Sequence, residues 1–304
     1  MSPNPQHGTP AGDATIAIRG VARRTGGDVQ ELMTLYALEG LLARIAISEY
    51  RDDLVLKGGV LLAAFAARRP TKDIDLQATR LTSDPGEVAE RVRAITALDV
   101  DDGLVFDPAS VTATRIRDED EYAGVRVKLS ATLGTARLTV GIDVNFGDPI
   151  WPAPRIIDLP RVVPLGLPPV RLLGYPLTMV LAEKLVTAID RGVANTRWRD
   201  FADVYTLTRL HTVNATELRA SMEAVAEHRQ VALRTLLPAL ASMAERSQQK
   251  WRAWRTRSHR EDELPEAFAD ALTAVAGFAD PVLSTTAEGD WNPAAEVWGN
   301  GHAR

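Results

Sequence analysis

The spacing of apolar residues changes once along this chain, and that change limits what it can fold into. In the first half, apolar residues alternate with polar ones. Val125, Val127 and Leu129 share one face of a run, and Leu138, Val140, Ile142 and Val144 share one face of the next, with Gly134-Thr135 between them. Period two interrupted by a short glycine turn predicts an antiparallel hairpin. From Pro176 to about Phe278 the spacing is helical throughout. It predicts helices over 177–190, 196–210, 215–227, 229–256 and 263–278. The switch excludes an all-β or all-α chain and predicts a mixed α/β half followed by a helical half.

Local signals fill in the first half. Asp28 is placed to cap a long amphipathic helix in which Val29, Leu32, Met33, Tyr36, Leu41, Leu42 and Ile45 recur at helical spacing. Leu54-Val55-Leu56 is a short apolar run leading into Lys57-Gly58-Gly59, and a second apolar helix is predicted from Val60 to about Arg68. Asp73-Ile74-Asp75-Leu76 alternates as a half-buried strand does. Ser83-Asp84-Pro85 reads as a helix start. The proline-rich stretch Asp148–Pro176 reads as a connection with short extended pieces. These signals divide the chain into a flexible tail (1–14), an α/β domain (15–165), a helical lobe (166–280) and a C-terminal tail (281–304), with Trp291 and Trp298 as candidate anchors.

Composition removes several chemistries. The 304 residues include no cysteine, which excludes disulfides, thiolate zinc sites, iron–sulfur clusters and cysteine nucleophiles. No Gly-x-Ser-x-Gly elbow, Walker A loop or His-Glu-x-x-His is present. Of five histidines, His7 and His302 sit in the terminal tails, so a histidine-based site is not expected. The longest apolar stretch falls far short of the ~20 residues of a membrane span, and the N-terminus lacks the apolar core of a signal peptide. A cytoplasmic protein is expected.

The segment richest in chemistry is Lys57-Gly58-Gly59 followed, after a helix, by Thr71-Lys72-Asp73-Ile74-Asp75-Leu76. Residues two apart on a strand face the same side, roughly 6.6–7 Å apart, so Asp73 and Asp75 can present two carboxylates to one site. Mg²⁺ takes oxygen ligands and is commonly held by one or two carboxylates plus substrate phosphates. A glycine pair at a strand-to-helix turn lets backbone N–H groups approach a phosphate, and the helix that follows adds its dipole. Asp143 lies on the polar side of its strand, in Gly141-Ile142-Asp143-Val144. Gly-Gly, a helix and then Asp-x-Asp on a strand resembles the signature of the DNA polymerase β-like nucleotidyltransferase superfamily, in which a third carboxylate comes from a neighbouring strand. Asp143 matches that position.

The resemblance narrows further. Leu56-Lys57-Gly58-Gly59, Arg69-x-Thr71-Lys72-Asp73-Ile74-Asp75-Leu76, Glu183-Lys184-Leu185, Arg191 and Arg199-Asp200-Phe201-x-Asp203 are similar to the motifs of the AbiEii/MenT toxins, over roughly residues 50–210. The resemblance implies a nucleotidyltransferase fold with a small mixed twisted sheet and a C-terminal helical lobe that completes the site. It implies a Mg²⁺-dependent transfer of a nucleoside monophosphate from an NTP, with CTP one candidate donor, and a cognate antitoxin as partner. The implied acceptor is the 3′ end of tRNA, whose modification blocks aminoacylation and translation. Asp73, Asp75 and Asp143 would hold metal. Lys57, Gly58, Gly59 and Thr71 would meet the nucleotide. Lys184 would neutralise triphosphate charge, with Arg191 two helical turns on along the same face. A late carboxylate falls on Asp200 as a catalytic group or on Asp203 beside the nucleotide. Transfer to a protein side chain or small molecule uses the same carboxylates, and a binding protein that kept the fold would need none of them.

One cluster bears on the acceptor. Arg246, Lys250, Arg252, Arg255, Arg257, His259 and Arg260 are interleaved with Trp251 and Trp254, with no acidic residue between Glu245 and Glu261. Cations contact phosphates and aromatic rings stack on unpaired bases, which makes Lys250, Trp251, Arg252, Trp254, Arg255 and Arg257 RNA-binding candidates. The other reading is a basic helix face whose tryptophans belong to the core. The net charge of −5 weighs against a nucleic-acid partner only as a whole-chain average, because it includes the three clustered aspartates.

Overall fold

A computed structural model describes residues 6–116, 124–192, 195, 197–240 and 242–299. His302, the outer ends of both predicted tails and the first residue of the helix predicted at 196–210 lie outside the described residues. The chain divides into two units. The first comprises the chain up to Ala64 with Arg68–Gly147 and Arg155–Gly174; the second comprises Phe65–Ala67, Asp148–Pro154 and the chain from Tyr175.

In the first unit, helices α1 (Pro10–Thr25) and α2 (Val29–Ile47) precede strand β1 (Leu54–Lys57). A single helical turn, α3 (Gly58–Leu61), leads through a 3₁₀ turn toward β2 (Asp73–Ala78) and helix α4 (Pro85–Thr96). Three long strands follow, β3 (Leu104–Ile116), β4 (Gly124–Leu133) and β5 (Ala136–Phe146), then β6 (Arg155–Leu159) and β7 (Val170–Gly174). They form one mixed sheet in the order β3-β4-β5-β2-β1-β7-β6. β2 runs parallel to β5 and β1 parallel to β7, while the other neighbours are antiparallel. The predicted hairpin is β4–β5, turning at Gly134, whose φ of 57° needs no Cβ to accommodate.

Helices α2 and α4 cover one face of this sheet. Leu41 and Ile45 from α2, and Val88, Val92 and Ile95 from α4, meet Leu76, Ile142 and Val144 there. By strand alternation Asp73, Asp75 and Asp143 lie on the other face. Asp28 and Asp84 accept hydrogen bonds from the N–H groups of Glu31 and Glu87, capping α2 and α4 as their sequence positions predict.

A buried ion pair ties α2 to the segment before β3. Arg44 and Asp102, with side chains 3% and 2% exposed, pair at 2.6 Å, and Arg44 also donates to the carbonyls of Gly40, Leu98 and Leu104. Glu39, one turn earlier, is 1% exposed; it accepts from Arg68 at 2.7 Å and from the Val162 N–H at 2.9 Å. Burial nonetheless pushes the Glu39 carboxyl above its ordinary pKa, Arg68 opposing only part of the shift. A carboxyl whose folded pKa is raised binds its proton more readily in the folded state, so ionising it costs stability. That cost is absent below about pH 4.5, grows as pH rises toward the raised value, and is constant above it. Glu39→Gln should therefore gain stability relative to wild type as pH climbs through this window. Urea unfolding of both proteins from pH 4 to 8 checks it, and a difference that does not move with pH would contradict the assignment.

Two expectations for the first half are corrected, and one strand carries no clear sequence signal. Residues 10–14 are helical rather than a loose tail: Thr9 caps α1, and Ala14 and Ile18 are buried. The helix predicted from Val60 to Arg68 ends by Phe65, where Ala66 takes a φ of 54°. The edge strand β3 has no clean alternation because Pro108 and a register shift between Asp107 and Thr112 interrupt it.

The second unit holds α5 (Leu177–Arg191), α6 (Trp198–Leu210), α7 (Ala215–His228), α8 (Leu236–Leu240), α9 (Met243–Arg257) and α10 (Phe268–Leu283). Helix α10 is the apolar centre, packing on α6, α7, α8 and α9. The single helix predicted over 229–256 is instead α8 and α9. Gln230 at φ 54° ends the preceding helix, and the Asp280 carboxylate accepts the N–H groups of Leu236 and Leu237 to start the short one. After α10 the chain returns as a small hairpin, β8 (Trp291–Asn292) with β9 (Val297–Trp298). Trp291 and Trp298 pack on Phe278 with centroids 5.0 and 5.1 Å away, and their indole N–H groups donate to the carbonyls of Thr208 and Phe278. The predicted anchors thus hold this segment. Among the described residues no helix is long and apolar enough to cross a membrane.

Candidate active site

Sheet register gathers the carboxylates. β2 and β5 are parallel neighbours, with Asp75 opposite Asp143 and Asp73 opposite Gly141. Directly opposed residues have Cβ atoms about 4.5–5.5 Å apart and project to the same side. Asp73, Asp75 and Asp143 therefore share one face, Asp73 exposed and the other two half-buried. Like charges placed so destabilise a sheet, so packing alone does not account for the arrangement.

Two glycines make room for them. Gly58 has a φ of +66°, and a Cβ there would lie 1.9 Å from an Asp75 carboxylate oxygen. A Cβ on Gly141 would lie 2.0 Å from an Asp73 carboxylate oxygen. Gly141→Ala should therefore push Asp73 out of place and cut transfer by about a hundredfold or more, since roughly 1 Å of misplacement can cost that much. Labelled-nucleotide transfer with a thermal melt checks it, and near wild-type transfer would show that Asp73 need not sit over Gly141.

The glycine turn differs from expectation. Only the single turn α3 follows Gly58-Gly59, so a long helix dipole is not what this turn offers. The Gly59 N–H instead donates toward Asp75 at 3.4 Å, and Thr71 Oγ1 donates to the Asp73 carbonyl at 3.3 Å. Lys57 is buried and stands opposite Asp75 on β1. On the outer side, Arg126 of β4 stands opposite Asp143 and grips it in a two-pronged pair, at 2.8 Å through Nε and 2.6 Å through the terminal nitrogen. Among the described residues no three acidic or histidine side chains are gathered as a ready metal cage. The donor set still suits a hard divalent cation: three carboxylates on one face and no softer ligand among them.

Gly141 and Arg126 were not singled out from sequence. Gly141 was visible two residues before Asp143, but its importance depends on which strand lies beside it. The same holds for Arg126.

In the second unit, Lys184 of α5 bridges two carboxylates of α6. Its ammonium donates to Asp200 at 2.9 Å and Asp203 at 2.7 Å, with the three side chains 11%, 18% and 1% exposed. Asp200 and Asp203 lie three residues apart and so on one side of α6. Both candidate late carboxylates thus meet the same lysine. Arg191 is exposed in the last turn of α5.

The candidate RNA face needs correction. Trp251 and Trp254 are 0% and 8% exposed; Trp251 packs on Phe268 at 5.0 Å and Trp254 lies beside it at 5.7 Å. Rings enclosed in the core offer no face to a base. Lys250, Arg252 and Arg257 remain exposed, Arg252 near Glu266 at 3.2 Å, while Arg255 is half-buried and donates to the Glu261 carbonyl. What survives is a cationic helix face.

A mixed sheet with an Asp-x-Asp strand, a Gly-Gly turn beside it and a third aspartate on the neighbouring parallel strand is the build of a nucleotidyltransferase. Within that class, the chain belongs to the AbiEii family, the nucleotidyl transferase toxins of type IV toxin–antitoxin systems, whose sequence model matches residues 40–274. Membership makes it a nucleotidyl-transfer enzyme and the toxin half of a pair, which implies a nucleotide substrate and a cognate antitoxin. Enzymes of this kind generally use divalent metal ions. The fold is shared with MenT4, a nucleotidyltransferase toxin from Mycobacterium tuberculosis H37Rv, at a TM-score of 0.51 and 18% identity, covering 88% of this chain and 98% of that one. JHP933 from Helicobacter pylori aligns at a TM-score of 0.48 and 14% identity, covering 84% and 93%. No curated protein matches the chain.

Proposed function

We propose that this enzyme transfers a nucleoside monophosphate from an NTP to the 3′ end of tRNA, and that it does so in the cytoplasm with Mg²⁺. The observation that carries the reading is the register of Asp73, Asp75 and Asp143 on one sheet face, with Gly58 and Gly141 clearing space for two of them. Asp73, Asp75 and Asp143 would hold the metal, which when bound offsets charge on the attacking and leaving oxygens. Asp143 would also accept the proton of the acceptor hydroxyl as that oxygen attacks the α-phosphate and pyrophosphate leaves. Lys57, Gly58, Gly59 and Thr71 border the acidic face and would position the nucleotide. In the helical unit Lys184 and Arg191 would supply positive charge toward the phosphates, with Asp200 and Asp203 fixing the Lys184 ammonium. The exposed cations Lys250, Arg252 and Arg257 would contact RNA phosphates without reading bases.

The test is incubation of the purified protein with Mg²⁺, each labelled NTP in turn and total tRNA. Label should appear in RNA and fail to appear when the 3′-terminal diol of the tRNA is oxidised beforehand. Label on protein or on a small molecule would replace the tRNA reading, and no label from any of the four NTPs would refute it.

A further inference from the structure

Among the described residues the first unit has two two-pronged arginine–aspartate pairs, built in opposite ways. In Arg44–Asp102 both side chains are almost fully enclosed, and three backbone carbonyls and the Phe106 ring, 4.7 Å from the guanidinium carbon, hold the arginine as well. That arginine cannot leave without stranding a buried charge. Arg126–Asp143 has equally good geometry, but its arginine is 49% exposed and its aspartate 18% exposed. Water can take the place of either partner at small cost. One fork is fixed and the other is exchangeable.

The exchangeable fork sits in a row of charge. Across four neighbouring strands the residues opposite one another are Arg126, Asp143, Asp75 and Lys57, all on the same face. The two inner positions are both acidic, and each has a base on its outer side. The Arg126 fork engages both oxygens of Asp143, the edge that a divalent cation would also use. A guanidinium fork also matches a phosphate, which presents the same spacing of oxygens with more charge.

We propose that Arg126 holds the cation position of Asp143 in the nucleotide-free protein and gives it up when a triphosphate arrives, moving its fork from the carboxylate to a phosphate oxygen. Arg126 is then a positioning residue that makes metal occupancy at Asp143 depend on nucleotide. This rests on the assignment of Asp143 as a metal ligand made above.

The test titrates the full chain with Mn²⁺ in the absence of nucleotide, reading free ion by electron paramagnetic resonance. Arg126→Gln should bind Mn²⁺ roughly two- to fivefold more tightly than wild type, the scale of a partly exposed charge pair. Arg126→Lys, which keeps the charge but loses the fork, should fall between them. Asp143→Asn should erase the gain when combined with Arg126→Gln. In steady-state assays Arg126→Gln should raise KM for the NTP more than it lowers kcat. Mn²⁺ binding no tighter in Arg126→Gln than in wild type, or a gain that survives Asp143→Asn, would overturn the proposal. Because Mn²⁺ is read without turnover, a protein that shows the expected binding yet labels no RNA would refute the tRNA reading and leave the Arg126 exchange standing.

Discussion

Asp73→Asn and Asp75→Asn are each expected to lower nucleotidyl transfer by about three orders of magnitude or more while leaving the melting temperature near that of wild type. The size follows from the role. Charge stabilisation by a bound metal is worth several kcal/mol in the transition state, and each 1.36 kcal/mol is about a factor of ten in rate. The lack of a stability cost follows from position. Asp73 is exposed and Asp75 half-buried, and they share a face with Asp143. Removing one of three neighbouring negative charges relieves repulsion, which at exposed Asp73 leaves little to lose and at Asp75 offsets the loss of a negative charge opposite buried Lys57. Asparagine keeps the shape that Gly58 and Gly141 accommodate, so the backbone around the turn has no reason to move. Labelled transfer and thermal unfolding, measured on the same preparations, check both halves. Substantial activity in both variants would refute the metal-site assignment. Loss of activity accompanied by a large drop in melting temperature would show that these aspartates hold structure instead.

How much of this site could be read from sequence depends on the distance over which the information is carried. Asp73 and Asp75 are two apart, and period two alone puts them on one face. The Asp143 side chain was likewise placed by alternation within its own strand. What alternation cannot give is which strands are neighbours. Gly141 opposite Asp73, Arg126 opposite Asp143 and Lys57 opposite Asp75 are consequences of sheet order, set by contacts far apart in the chain. The same limit hid β3, whose alternation is broken by its own bulge but whose pairing with β4 holds it as a strand. In the helical half, spacing found α5, α6 and α7 to within a few residues. It failed between His228 and Met243, because amphipathic spacing runs on across a backbone break that Gln230 and the Asp280 cap impose. Trp251 and Trp254 show a different ambiguity. Interleaving with cations suggested an exposed aromatic face, yet their helical spacing put them on the side turned to Phe268. An apolar ring within a basic helix gains more from burial than a surface position offers.

Lys184 carries the second large effect, and here chemistry and stability must be pulled apart. Lys184→Met removes the ammonium that two carboxylates share, one of them only 1% exposed. Removing one partner of a buried pair leaves an uncompensated charge and costs about 3–5 kcal/mol. In a protein of this size that lowers the melting temperature by roughly 5–8 °C. Loss of transfer in Lys184→Met alone would therefore say little about catalysis. Asp203→Asn added to Lys184→Met removes the stranded charge and should restore most of the lost stability, because the cost lies in the charge rather than in packing. If Lys184 supplies positive charge to the phosphates, the double variant should melt near wild type and still transfer about a hundredfold less nucleotide or worse. Recovery of transfer along with stability would reduce Lys184 to a structural bridge between α5 and α6. A double variant as unstable as Lys184→Met would instead show that the lysine's aliphatic stem or its hold on Asp200, not the charge on Asp203, sets the stability of this pair of helices.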